Sequence, residues 1–142
     1  MVKGEKEGKM KQKPKPGVVS ILHHNVQSIN NKLIELNVLL QSELADVDVL
    51  CLSEHWLREE NIKLITIDKF KLVSNSSRSK SDHGVSCIYV KHHVQTKEVN
   101  HLNGISKEKD FEMTAVEILD YKLIIVCVCV CIDHLMVISL HS

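Results

Sequence analysis

The sequence predicts an α/β chain with mixed β-sheets rather than a doubly wound one, on three observations. A strand, an amphipathic helix and a buried strand follow one another within residues 18–54. Five strand-like runs then succeed each other with no helical pattern between them. No internal repeat organises the chain. Strands without intervening helices favour antiparallel pairing, so parallel and antiparallel neighbours should coexist.

Residues 18–26 open with Val18, Val19, Ile21 and Leu22, an apolar and β-branched start that reads as a strand. Ser28, Asn30 and Asn31 follow, all good helix N-caps. Leu33, Leu36, Leu40 and Leu44 then recur at spacings of three and four, with Ile29 and Leu39 nearby. That stripe predicts an amphipathic helix of about four turns. Residues 48–54 form a short apolar run ending in Ser53 and Glu54, which suits a buried strand. Strand, helix and strand in so short a span make a βαβ unit, with parallel strands joined by a right-handed crossover. Ligands in open α/β sheets bind outside the carboxyl ends of strands. Asn25 and Glu54 stand at those two ends and should face one crevice. The later strands are expected at residues 70–74, 84–91, 96–99, 111–118 and 122–131, separated by loops rich in Ser, Asn, Lys and Gly.

With 142 residues, 44% hydrophobic and 25% charged, the chain has the composition of one globular domain and is not wholly disordered. Its charges balance overall but not locally. Lys3, Lys6, Lys9, Lys11, Lys13 and Lys15 stand against only Glu5 and Glu7, beside Pro14 and Pro16. Residues 1–17 therefore read as a solvated basic tail, residues 18–131 as the domain, and residues 132–142 as an unrelated or disordered tail. No apolar segment follows the first lysines, so no signal peptide is expected. An intracellular, reducing setting follows, with the five cysteines as thiols. The longest apolar stretch, residues 123–132, has ten residues where a membrane span needs about 20. Extending it to Leu140 takes in Asp133 and His134, so no membrane partner is expected.

The segment Ile21-Leu22-His23-His24-Asn25-Val26-Gln27-Ser28-Ile29, the leucine-rich helix, and Asp48-Val49-Leu50-Cys51-Leu52-Ser53-Glu54-His55-Trp56-Leu57 resemble the endonuclease/exonuclease/phosphatase family of deoxyribonuclease I-like fold. The likeness is closest to the endonuclease domains of non-LTR retrotransposons. Gly84-Val85-Ser86-Cys87-Ile88-Tyr89-Val90 looks like that subgroup's glycine-led strand, and Phe111-Glu112 and Leu123-Ile124-Ile125-Val126 match two later strands. The resemblance runs in order over residues 18–128. It implies a four-layered sandwich of mixed sheets with outer helices. It also implies Mg²⁺- or Mn²⁺-dependent hydrolysis of phosphodiester bonds, with DNA as partner. By position, Glu54 would be the metal-binding carboxylate, and Asn25 would hold the metal or the scissile phosphate. A hard cation wants such oxygen donors and polarises the phosphoryl group as a Lewis acid.

The chain departs from the family pattern beyond that point. The family's Tyr and Arg fall on Cys129 and Val130, and no Gly-Asp-x-Asn or correctly placed terminal Asp-His follows in the 13 residues after Cys129. The chain is accordingly expected to be an N-terminal, C-terminally truncated portion, weak in metal and inactive alone. A non-catalytic nucleic-acid-binding or interaction remnant stays open as the alternative. Ser81-Asp82-His83 spells the family's final triplet but lies in the wrong element, and a turn is the safer reading. The pairs His23-His24 and His92-His93 each point to opposite faces of a strand, so neither chelates. Trp56 reads as core, and His55 acquires no role.

Cys127, Cys129 and Cys131 share one strand face but lie about 7 Å apart, too far for one tetrahedral zinc with bonds of about 2.3 Å. Buried thiols are the expectation. Alternating Val and Cys is also what a repeated TG dinucleotide encodes. We therefore expect the codons of residues 126–131 to alternate GTG and TGT, with sequence unrelated to the domain from Ile132 onward. Genomic sequencing tests this, and mixed Val and Cys codons there refute it.

Overall fold

The residue run Val49–Ser53 is buried at every position, which places it in the interior of a sheet with both faces covered. The computed structural model describes residues 17–76, 85–99, 102, 111–130 and 136–141. Its elements are β1 (Ile21–Asn25), α1 (Ile29–Gln41), β2 (Val49–Ser53), α2 (Glu59–Ile62), β3 (Phe70–Asn75), β4 (Ser86–Lys91), β5 (Thr96–Glu98), β6 (Phe111–Ile118), β7 (Leu123–Val130) and β8 (Met136–His141), with a 3₁₀ turn at Leu119–Tyr121. The basic tail over residues 1–16, Ser81-Asp82-His83, Gly84 and Cys131 lie outside the described residues.

Two four-stranded sheets result, in the orders β1-β2-β4-β3 and β5-β6-β7-β8. In the first, β1 and β2 pair in parallel while β2–β4 and β3–β4 are antiparallel. The βαβ unit is present as expected. The second sheet is antiparallel throughout, as consecutive strands without intervening helices predict, whereas the resemblance implied mixed order in both sheets. Parallel neighbours need a long crossover connection. Residues 119–122 between β6 and β7, and 131–135 between β7 and β8, are too short to supply one. Residues 136–141, expected to lie in a tail outside the domain, pair along β7 as β8. The run Met136-Val137-Ile138 is apolar and β-branched, which suits a strand, and the open edge of β7 supplies the partner.

Helix α1 covers one face of the first sheet. Ile29, Leu36 and Leu40 bury against Leu50, Leu52, Phe70, Cys87 and Tyr89, with Leu33 and Leu44 packed alongside. The helix is shorter than its leucine stripe, at 13 residues or roughly three and a half turns. Ser42 ends it, its hydroxyl donating to the Val38 carbonyl at 2.8 Å, and Leu44 reaches the core from the following turn. The N-cap is Ser28, yet its side chain makes no capping hydrogen bond.

The other face of the first sheet meets the second sheet. Val49, Cys51, Ile88, Val90, Val116, Ile118, Ile125 and Cys127 form the apolar interior between them. On the outer face of the second sheet a small cluster gathers Val99, Ala115 and Val126. The described layers are thus helix, sheet and sheet. No helix among the described residues is long and apolar enough to cross a membrane.

Burial sets the cost of substitution. Replacing Leu52, which is fully buried in the helix-facing cluster, by Ala should lower unfolding free energy by about 2–5 kcal/mol. Ile34→Ala, on the exposed side of α1 at 83% exposure, should change it by less than about 0.5 kcal/mol. Urea denaturation measures both.

Candidate functional site

The interior between the sheets changes character along its length. At one end Val49 pairs with Val90, next Cys51 with Ile88, and then Ser53 with Ser86. The facing strand follows the same progression, from Ile118 and Val116 to Thr114, whose hydroxyl meets that of Ser86 at 3.2 Å. Two residues on along the same face of β6 lies Glu112, buried at 3% exposure. Among the described residues, the buried polar or charged side chains are Ser53, Glu54, His55, Ser86, Glu112 and Thr114. All six belong to this end of the sandwich. It is the end at which β1 and β2 present their carboxyl termini.

Asn25 and Glu54, the two site residues read from the sequence, are set there by register. Asn25 lies opposite Ser53 in the parallel ladder, one residue before Glu54. The ladder then continues past both strands. The Val26 amide donates to the Ser53 carbonyl at 3.0 Å, the Ser28 amide to that of Glu54 at 2.9 Å, and the Ile29 amide to that of His55 at 3.2 Å. Asn25 is half-buried, and its side-chain oxygen accepts the Gln27 amide at 3.2 Å, an Asx turn. Glu54 is buried at 8% exposure. Strict alternation would turn it toward the helix with Leu50 and Leu52. Its left-handed backbone, φ 52°, ends the alternation at that residue.

Strain concentrates in the same two loops. Gln27, Ser28, Glu54 and Trp56 all have positive φ, four of the six non-glycine cases among the described residues. Each costs on the order of 1 kcal/mol and persists only where neighbouring structure enforces it. The hydrogen bonds between the loops supply that enforcement.

His55 holds the second loop from inside. Its ring is fully buried, and Nδ1 accepts the Leu57 amide at 3.0 Å. That bond puts the ring proton on Nε2, which is buried and makes no hydrogen bond of ordinary geometry. The His55 amide donates to the Val85 carbonyl at 3.3 Å, tying the loop to the start of β4. Burial pushes the His55 pKa down to about 4, with a backbone group of Ser76 pulling weakly the other way. The ring is therefore neutral at physiological pH. His55 and Glu112 are the residues that sequence reading missed. Glu112 was legible, because alternation along β6 puts it on the face of Thr114, Val116 and Ile118. His55 was not, because its role rests on a turn that no periodicity announces.

The remaining candidates fall apart from this end or stay single. His23 is half-buried and His24 exposed on β1. His92 and His93 are exposed in the turn after β4, with His93 Nε2 3.7 Å from Asp48. Trp56 is half-buried, less enclosed than a core residue. Cys51, Cys87 and Cys127 are free, buried thiols. The Cys51 thiol, hydrogen-bonded to Cys127, and burial both hold Cys127 above the usual thiol range. Burial does the same for Cys87. Cys129, where the resemblance places a Tyr, pairs with Glu112 across the β6–β7 ladder and so lies at the polar end.

A carboxylate and an amide oxygen, as on Glu54 and Asn25, are donors of the kind a hard cation takes together with several waters. Among the described residues no group of three or more His, Cys, Asp or Glu side chains converges to hold a metal. No protein-family model matches the chain, and no curated protein matches it.

The neutral His55 has a pH consequence. Its folded pKa lies below the ordinary value of 6.5, so the unfolded chain takes up the proton first. The His55 contribution should be constant above about pH 6.5 and fall progressively toward pH 4, at up to about 1.4 kcal/mol per unit. His23, also lowered by burial and by His24, acts in the same direction. Thermal melts in chelator should show His55→Asn losing most of this slope.

Proposed function

We propose that the chain is a reduced relative of the metal-dependent phosphodiesterases it resembles. In this reading Glu54 and Asn25 hold a divalent cation weakly and engage phosphodiester groups, DNA foremost, without turning them over. The observation that supports it most is the parallel pairing of β1 and β2, which sets Asn25 beside the residue preceding Glu54. Strand ends of this kind are where open α/β sheets bind ligands. The gathering of buried polar side chains at the same end supports it too, because desolvating them stabilises nothing by itself. A cation bound there would polarise a phosphoryl oxygen.

Turnover asks for more. A base must take a proton from water, and an acid must protonate the leaving oxygen. The sequence has no Gly-Asp-x-Asn, and its Asp-His sequences lie at Asp82-His83 and Asp133-His134, outside the described residues. His55 is a poor base, since its Nδ1 is already occupied by the Leu57 amide. Binding without hydrolysis is the consistent outcome. The six lysines of residues 3–15 favour a second reading, in which polyanions bind through the tail alone.

Two measurements test the proposal. Mn²⁺ titration followed by electron paramagnetic resonance should give weak binding that Glu54→Gln abolishes. Supercoiled plasmid with Mg²⁺ should show little or no nicking by the wild type or by Glu54→Ala. Mn²⁺ binding indifferent to Glu54 refutes the cation site. Clear cleavage that Glu54→Ala removes refutes the loss of turnover. Salt-sensitive DNA binding unaffected by either variant favours the lysine tail.

A further inference from the structure

We infer that His55 is a positioning residue for this site, its imidazole Nδ1 setting the backbone turn that holds Glu54 in place. The inference rests on the reading of Glu54 as a cation ligand, and its geometric part stands independently of it. Glu54 and Trp56 are both left-handed, at φ 52° and 58°, with His55 between them. Two left-handed residues within three positions is a backbone that non-glycine residues rarely adopt. The side-chain bond that closes it is Leu57 N–H to His55 Nδ1, at 3.0 Å. The ring itself is fully buried. It cannot move without opening the interior.

The turn is coupled to Asn25 as well. The carbonyls of Glu54 and His55 accept the amides of Ser28 and Ile29, at 2.9 and 3.2 Å, and so dock the loop after β1 against the loop after β2. Gln27 and Ser28 in that first loop are themselves left-handed, and Gln27 N–H binds the Asn25 side chain. One acceptor nitrogen thus stands at the start of a chain of contacts reaching both candidate ligands. Supporting groups of this kind orient metal ligands, and their loss commonly weakens metal binding 10- to 100-fold, on the order seen for outer-shell partners generally. A histidine that merely filled the core would affect melting temperature and leave ligand geometry alone.

Two substitutions of similar polarity separate these roles. In His55→Asn the amide oxygen falls near the place of Nδ1 and can accept the Leu57 amide. In His55→Gln the oxygen reaches toward the place of Nε2 and leaves that amide unserved. Mn²⁺ titration of the full chain should give His55→Asn within about threefold of wild type and His55→Gln weaker by about tenfold or more. In metal-free protein, amide hydrogen exchange at Leu57, Ser28 and Ile29 should accelerate in His55→Gln and stay near wild type in His55→Asn. Equal Mn²⁺ affinity in wild type and His55→Gln would overturn the inference. So would losses in both variants that simply track their melting temperatures. If wild type itself binds no Mn²⁺, the cation reading of Glu54 fails. The exchange data then decide His55 alone, and unchanged protection at all three amides in His55→Gln rejects it.

Discussion

The parallel register of β1 against β2 is the constraint on which the candidate site depends. Asn25 opposes Ser53, and three further backbone hydrogen bonds carry the pairing into both loops. A slip of one residue would exchange the two faces of a strand. It would move Ile21 out of the inter-sheet interior and Leu22 out of the helix-facing one. Because β2 is buried on both faces, neither exchange is tolerated. Packing far from the loops therefore decides which backbone groups meet at their ends.

Polarity within the sandwich is distributed with a direction. Valine and isoleucine fill one end, thiols the middle, and hydroxyls, carboxylates and an imidazole the other. The Ser76, Ser86 and Thr114 hydroxyls answer one another, at 3.3 and 3.2 Å. Ser53 Oγ remains buried without a hydrogen-bond partner, and His55 Nε2 without one of ordinary geometry. Buried polar groups of this kind oppose stability, and natural folds concentrate them where binding or catalysis makes use of them. The apolar end and the helix-facing cluster offset the cost.

The chemistry available at the polar end is limited by its donors. Glu54 offers a carboxylate at a strand end and Asn25 an amide oxygen, donors of the kind a hard cation takes with water, and Glu112 is the other buried carboxylate at this end. The neighbouring imidazole is neutral, buried and committed to the backbone, so it shapes the site rather than exchanging protons with solvent. Cation binding and hydrolysis are separable properties, and they ask for different groups.

Much of the architecture was legible in the residues themselves. The leucine spacing announced α1, β-branched runs announced the strands, and the order strand–helix–strand announced the parallel pair, because each rests on local periodicity. Asn25 and Glu54 could be named from their places at the ends of two such strands. Other features depended on contacts between segments distant in sequence. The division of the strands into two sheets, the pairing of β8 on β7 and the early end of α1 at Ser42 were all decided that way. So was the role of His55, which arises because Leu57, Val85 and Ile29 converge on one residue after folding. Periodicity reports which side of an element is buried; only tertiary packing reports what that side meets.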